Sequence, residues 1–195
     1  MTYPTIFLLR HGQTEWNIAA RLQGTLDSAL TEKGRLQALR QGALLESCLS
    51  QYPGMSVLSS PQGRALKTAK IASEGKNLSI NQDVRLREIS AGSWNGAYLD
   101  DIKRSHGHLF EQARNAFELM FLAPDGEGET SVLARCCAVL ANQNKPMILV
   151  THGATLCVLR GLLRGMQFEE MLNLDHEQGC IYQIKDGVET ILRYT

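Results

Sequence analysis

The sequence predicts the α/β class, with a largely parallel sheet. Three observations carry this. Short apolar runs that stop abruptly at polar residues read as strands buried on both faces. They alternate with segments of helical spacing. The chain closes on two strand-like runs joined by Asp-Gly, a hairpin signal that adds an antiparallel edge.

In chain order, Ile6-Phe7-Leu8-Leu9 is the first strand, stopping at Arg10-His11-Gly12. Thr31 is a fitting N-cap for a helix whose apolar residues recur at Leu36, Leu39, Ala43 and Cys48, before Pro53-Gly54 breaks the chain. Met55 to Ser59 is a second strand, and Pro61 suits the first turn of a helix carrying Ala65, Leu66, Ala69, Ile71 and Ala72 and ending near Gly75. Asn81 to Ile89 is irregular or a short strand. Tyr98 to Leu122 reads as one or two helices, stopped by Ala123-Pro124-Asp125-Gly126, and Thr130 to Ala141 as another. Met147 to Thr151 is the most strand-like run, followed by His152-Gly153 and a helix through Leu163. Cys180 to Lys185 and Val188 to Tyr194 flank the Asp186-Gly187 turn.

The length of 195 residues fits one domain, 1–195. Lys plus Arg equals Asp plus Glu at 20 each, and the zero formal net charge argues against a nucleic-acid-coating or anionic-membrane protein. Five cysteines without a C-x-x-C spacing read as reduced thiols of a cytoplasmic protein. The N-terminus has no basic region and reaches Arg10 after a short uncharged run, so it does not read as a signal peptide. Pro146 to Leu159 is an uncharged stretch around the most apolar run, 14 residues against the ~20 that span a bilayer.

Function is concentrated at strand ends. Arg10-His11-Gly12 follows the first strand, Ser59-Ser60-Pro61 with Arg64 the second, and His152-Gly153 the strongest. In open α/β sheets ligands bind outside the carboxyl ends of strands, so these sets converge on one place rich in imidazole, guanidinium and helix N-termini, which suits a phosphate-like anion. No P-loop, G-x-S-x-G elbow or H-E-x-x-H pattern is present. His106-Gly107-His108 reads as solvent-facing side chains, with no metal or other cofactor expected. A neutral imidazole is a nucleophile able to carry a phosphoryl group, with arginines stabilising its oxygens. A carboxyl group must then protonate the leaving alkoxide, and Glu88, Glu15 and Glu129 all remain candidates on spacing alone.

With these residues in view, the sequence resembles the histidine phosphatase superfamily, the phosphoglycerate-mutase-like group. Arg10-His11-Gly12-Gln13-Thr14-Glu15-Trp16-Asn17 resembles its R-H-G-x-T-x-x-N signature. Arg21, Gln23-Gly24 and Asp27 continue the likeness, followed by Leu30-Thr31, Gly34, Gln37 and Ala38. Ser59-Ser60-Pro61 with Arg64 resembles the second block, and Leu86-x-Glu88 with Gly92, Trp94 and Gly96 the acid/base block. Gly128-Glu129-Thr130 with Arg135 resembles the G-E-S segment, and Val150-Thr151-His152-Gly153 the last block. The resemblance implies a three-layer α/β/α sandwich and no cofactor. It implies His11 as the phosphorylated nucleophile, Arg10, Arg64 and His152 as phosphoryl-binding groups, and Glu88 as proton donor and then base. Asn17, Gln23 and Gly24 would line the phosphate side. Thr130, Asn95 and Gly63 depart from the usual residues, the last two at positions that shape the pocket.

The resemblance leaves three readings: a phosphomonoesterase acting on a small phosphorylated metabolite, a phosphoglycerate-type phosphomutase, and a non-catalytic phosphate-binding module. The full set of catalytic residue types disfavours the module. The family's cover over the site corresponds to the helical segment at about 97–126. Here it carries few basic residues and many apolar ones, including Leu109, Phe110, Phe117, Leu119 and Met120. A weakly basic cover suits hydrolysis better than retention of a bisphosphate, so a phosphatase is expected, and the closing hairpin offers an edge for homodimerisation.

Overall fold

Ile6, Phe7, Leu8 and Leu9 are fully buried in β1 (Ile6–Arg10) because that strand is flanked on both edges and covered on both faces. The structure is a computed structural model and describes residues 3–194. After β1 come a four-residue α1 (Glu15–Ile18), the long α2 (Glu32–Gln51), β2 (Val57–Ser59) and α3 (Gly63–Ala72). β3 (Ile80–Gln82) leads through two 3-10 turns, Val84–Leu86 and Gly92–Trp94, to three short helices, α4 (Leu99–Ser105), α5 (Gly107–Gln112) and α6 (Ala116–Phe121). Then follow α7 (Glu129–Ala141), β4 (Met147–Thr151), α8 (Gly153–Arg164), α9 (Phe168–Met171), β5 (Ile181–Lys185) and β6 (Val188–Leu192).

The six strands run in the order β3-β2-β4-β1-β5-β6. The first four are mutually parallel, and β5 and β6 are antiparallel, as the Asp-Gly signal predicts. Asp186 and Gly187 both take positive φ, 51° and 76°, which is the geometry of a type I′ turn. Alternation along β1 splits the core into two layers. Ile6 and Leu8 join a cluster with Val132, Val139, Leu156 and Leu159 of α7 and α8, while Phe7 and Leu9 join Leu45, Ala65 and Ala69 of α2 and α3. The sheet is thus the middle of three layers.

The structure corrects the sequence reading in four places. The inner face of α2 is not the Leu36/Leu39 stripe, since those residues are 48% and 50% exposed. It is Gly34, Gln37, Ala38, Gln41, Gly42, Leu45 and Cys48. The seat is too tight and too polar for leucine. A Cβ on Gly34 would lie 2.0 Å from the Gln13 carbonyl oxygen, and Gln41 Nε2 donates to the carbonyls of Arg10 and Cys180. Pro61 lies outside α3, whose N-cap is Gln62, and α3 ends at Ala72 rather than near Gly75. The stretch 98–122 is three helices, because the backbone breaks at His106 and Asn115 caps a new start by accepting from the Glu118 N–H. Helix α9 carries no signal that the sequence reading used.

All five cysteines are free, four of them buried and Cys137 exposed. Among the described residues no helix is long and apolar enough to cross a membrane.

Candidate active site

The neighbouring strands β2, β4 and β1 all end on the same side of the sheet, and their last residues bring the predicted set together. His11 leaves β1 with its N–H on the Thr151 carbonyl. Its ring is buried, and Nδ1 lies 2.8 Å from the Gly12 carbonyl oxygen. A carbonyl only accepts, so Nδ1 carries the ring proton and the lone pair sits on Nε2. Only glycine fits at position 12, since a Cβ there would lie 2.2 Å from the Gly34 carbonyl oxygen.

His152 comes from the end of β4, its ring centroid 5.2 Å from that of His11. Its Nε2 lies 2.8 Å from Ser60 Oγ, which accepts from the Gln62 N–H. His152 Nε2 and Ser60 Oγ thus share one hydrogen bond, and Nδ1 has no partner among the described residues. His152 stands behind His11 rather than in the wall of the cavity at this site.

That cavity, about 170 Å³, is walled by Arg10, His11, Asn17, Gln23, Gly24, Arg64 and Glu88, among others. Both guanidinium groups are held from outside. Arg10 Nη1 donates to the carbonyl of His176 at 2.7 Å and to His176 Nδ1 at 3.0 Å. Arg64 Nη1 donates to the Leu26 carbonyl and to Asp27 Oδ1, at 2.6 and 3.0 Å, and Nη2 to the Gly24 carbonyl. Three buried nitrogens have no partner among the described residues: Arg10 Nε, Arg64 Nε and His152 Nδ1. Buried donors are normally satisfied, and the two unmet arginine Nε groups beside His11 are what an oxyanion needs. The N-terminus of α8 adds its positive end, with Gly153 packed against the Arg10 guanidinium.

Burial, then the charges of Arg64 and Arg10, hold the His11 pKa well below the ordinary imidazole value of 6.5. The same causes, with His11 itself, hold His152 well below it. Both rings are neutral at neutral pH, and His11 is a competent nucleophile.

Geometry separates the three carboxylates. Glu15 and Glu129 are exposed, whereas Glu88 is buried in the cavity wall. Glu88 Oε1 accepts from the backbone N–H groups of Ile89 and Thr155, at 3.0 and 3.1 Å, and Oε2 from that of Ala154 at 3.2 Å. Thr155 Oγ1 is braced by Arg135 Nη2, and Arg135 is paired with Glu127. Oε2, with one contact, is the atom with capacity to exchange a proton.

Asn17 and Gln23 also reach the wall. Asn17 Oδ1 is taken by the Thr14 N–H and Gln178 Nε2, which leaves its amide nitrogen for a ligand. Gln23 Nε2 donates to Thr14 Oγ1. Gly24 sits at φ +50°, where a Cβ would fall 1.7 Å from Asn95 Oδ1. Asn95 thus closes on the Gly24 loop, and Gly63 leaves room for Asp27 to reach Arg64, which accounts for both departures from the family pattern. His176 is the residue that sequence reasoning missed: it lines the cavity and fixes Arg10, but lies in an irregular loop before β5 with no pattern to mark it. His106 packs on Trp94 at 5.0 Å between ring centroids, away from this set. Among the described residues no group of three or more His, Cys, Asp or Glu side chains is placed to hold a metal.

Residues 6–191 match the sequence model of the histidine phosphatase superfamily, branch 1. The chain belongs to this superfamily. Among relatives of this superfamily member, the "Probable phosphoglycerate mutase GpmB" of Yersinia pestis (strain Pestoides F) is 34% identical over 165 residues, 81% of this chain and 74% of that protein. The structure of Bacillus stearothermophilus YhfR superposes with a TM-score of 0.81 at 31% identity, covering 96% of this chain and 95% of the other. A mycobacterial glucosyl-3-phosphoglycerate phosphatase, solved as a complex with VO3, gives a TM-score of 0.76 at 28% identity, covering 92% and 90%. The resemblance drawn from the sequence and the expected sandwich fold therefore both hold.

Proposed function

We propose that this histidine phosphatase superfamily member is a phosphomonoesterase that works through a phosphohistidine on His11. The observation that carries the reading is the neutral His11 with its lone pair on Nε2, set beside the unmet donors of Arg10 and Arg64 and sharing one cavity with Glu88. The Nε2 lone pair attacks phosphorus in line with the leaving oxygen. The P–O bond breaks, and Glu88 passes its proton to the departing alkoxide. Glu88 then takes a proton from water, the oxygen attacks phosphorus, and the P–N bond breaks with its electron pair returning to Nε2. Arg10 Nε and Arg64 Nε donate to the equatorial oxygens throughout, Asn17 helps seat the group, and His152 backs the His11 ring. None of these steps draws on a metal.

The name of the Yersinia relative favours a second reading, in which the phosphoryl group returns to another hydroxyl of the substrate. Retention of a bisphosphate calls for a second anion grip at the alcohol end. There the wall is Trp16, Leu22, Leu99, Phe117 and Met120, with Arg21 the single cation. This supports hydrolysis. Phosphorus NMR on p-nitrophenyl phosphate, an alkyl phosphate and 3-phosphoglycerate, with EDTA present, tests it. Inorganic phosphate is the expected product. Conversion of 3- to 2-phosphoglycerate without phosphate release would establish the mutase instead.

A further inference from the structure

Apart from Arg21, the charged groups of the cavity belong to the phosphate grip and Glu88. Arg21 is held through Nε alone, which donates to the Gly96 carbonyl at 2.8 Å, while its guanidinium lies 3.9 Å from the Trp16 ring centroid and 4.8 Å from that of Tyr98. The remaining walls at that end are apolar. A polar group placed against these apolar walls, out of reach of Arg21 and Gln23, would be left unpaired, which is costly once water is excluded.

The apolar lining continues beyond this cavity. Leu99 and Ala116 also wall a second cavity of about 230 Å³, together with Phe110, Ala113 and Leu119. The two polar residues on its border are already partnered. Arg114 is forked onto Glu118, and Asn115 accepts from the Glu118 N–H and donates to the Leu172 carbonyl. At about 170 Å³ the first cavity has room for a phosphoryl group and little more than one ring, since an apolar cavity of ~150 Å³ takes a single benzene. Leu99 and Ala116, which border both cavities, give a larger alcohol a path from the first to the second.

Granting the hydrolytic reading on which this rests, we infer that the substrate is a phosphomonoester of a bulky apolar alcohol, aryl or branched alkyl, whose far end seats in the second cavity between Phe110, Ala113 and Leu119. The phosphate end supplies chemistry common to any monoester. The second cavity supplies the selectivity, through apolar area removed from water.

The inference is tested by binding, independently of turnover. Calorimetry on the wild-type protein compares benzylphosphonate, (2-naphthylmethyl)phosphonate and the polar 3-phosphonopropionate, none of which can lose its phosphorus to His11. The expected result is a Kd about tenfold lower for the naphthyl than for the benzyl compound. Ala113→Trp, which fills the second cavity alone, is expected to erase the naphthyl gain. Equal or weaker naphthyl binding, a preference for the carboxylate, or an undiminished gain in Ala113→Trp would overturn the inference. The wild-type series decides by itself if that variant does not fold. Phosphate release from the matching esters is scored separately, so failure of hydrolysis is distinguished from failure of the apolar subsite.

Discussion

At the phosphate end of the cavity, Arg10 and His11 end β1 in the middle of the sheet with His152 behind them at the end of β4, and the N–H groups of His11 and Ser60 are tied to the Thr151 and Val150 carbonyls of β4. At the alcohol end, Leu99, Ala116, Phe117 and Met120 stand on helices of seven and six residues. Helices this short are marginal by themselves and owe their place to packing. The contrast separates two tasks. Chemistry that must be positioned closely is mounted on strand ends whose neighbours fix them, and recognition of the alcohol is left to a cover that sequence change can reshape without disturbing the nucleophile.

The sharpest way to break this division is to remove the nucleophile. His11→Ala is expected to lower kcat on p-nitrophenyl phosphate by about 10⁴-fold or more, while inorganic phosphate still binds. Retained turnover would mean that the phosphate end is not where reaction occurs. Next comes Glu88→Gln, expected to cost roughly 10²- to 10³-fold on alkyl esters and clearly less on the nitrophenyl ester, whose leaving group needs no proton. Equal losses on both would remove Glu88 from the role of acid.

His176→Ala is expected to raise KM about tenfold, because Arg10 keeps only the backbone carbonyl of its two Nη1 contacts. His176→Asn, whose side-chain oxygen replaces the Nδ1 acceptor, should recover most of that loss. An Asn variant as impaired as Ala would show that His176 touches substrate directly rather than holding Arg10.

The smallest effect is on pH. Because the His11 and His152 pKa values lie well below 6.5, kcat/KM should show no loss through pH 6.5 from imidazole protonation. Stability should change there. Below pH 6.5 the unfolded chain binds protons at these two positions that the folded chain does not, so the melting temperature should fall as pH drops from 6.5, with no contribution above it. A midpoint near 6.5 in the activity profile that vanished in a His11 or His152 variant would contradict the buried, neutral pair.

The same contrast governs what could be read from sequence. The phosphate end was legible because each buried strand is a short apolar run, and the residue that stops it is functional. Arg10-His11 and His152-Gly153 announce themselves by position. The acid did not: spacing left Glu88, Glu15 and Glu129 level, and burial against the start of α8 separates them. The seat of α2 was misread because Gly34, Gln37 and Gln41 are chosen for closeness and hydrogen bonding, which hydrophobic spacing does not register. His176 was invisible because a loop has no period. The third helix of the cover was in principle readable, from Asn115 with Glu118 three residues on as a cap and first turn. The pairing of Leu99 with Ala116 across two helices was not.

The most direct measurement is rapid acid-free quenching of the enzyme during turnover of a ³²P-labelled monoester, followed by peptide mapping. Base-stable, acid-labile label on the peptide carrying His11, appearing and decaying within a single turnover, is the expected result. Label that never enters the protein while phosphate is released, or label on any residue other than His11, would contradict an imidazole held neutral at the end of β1 as the group that takes the phosphoryl.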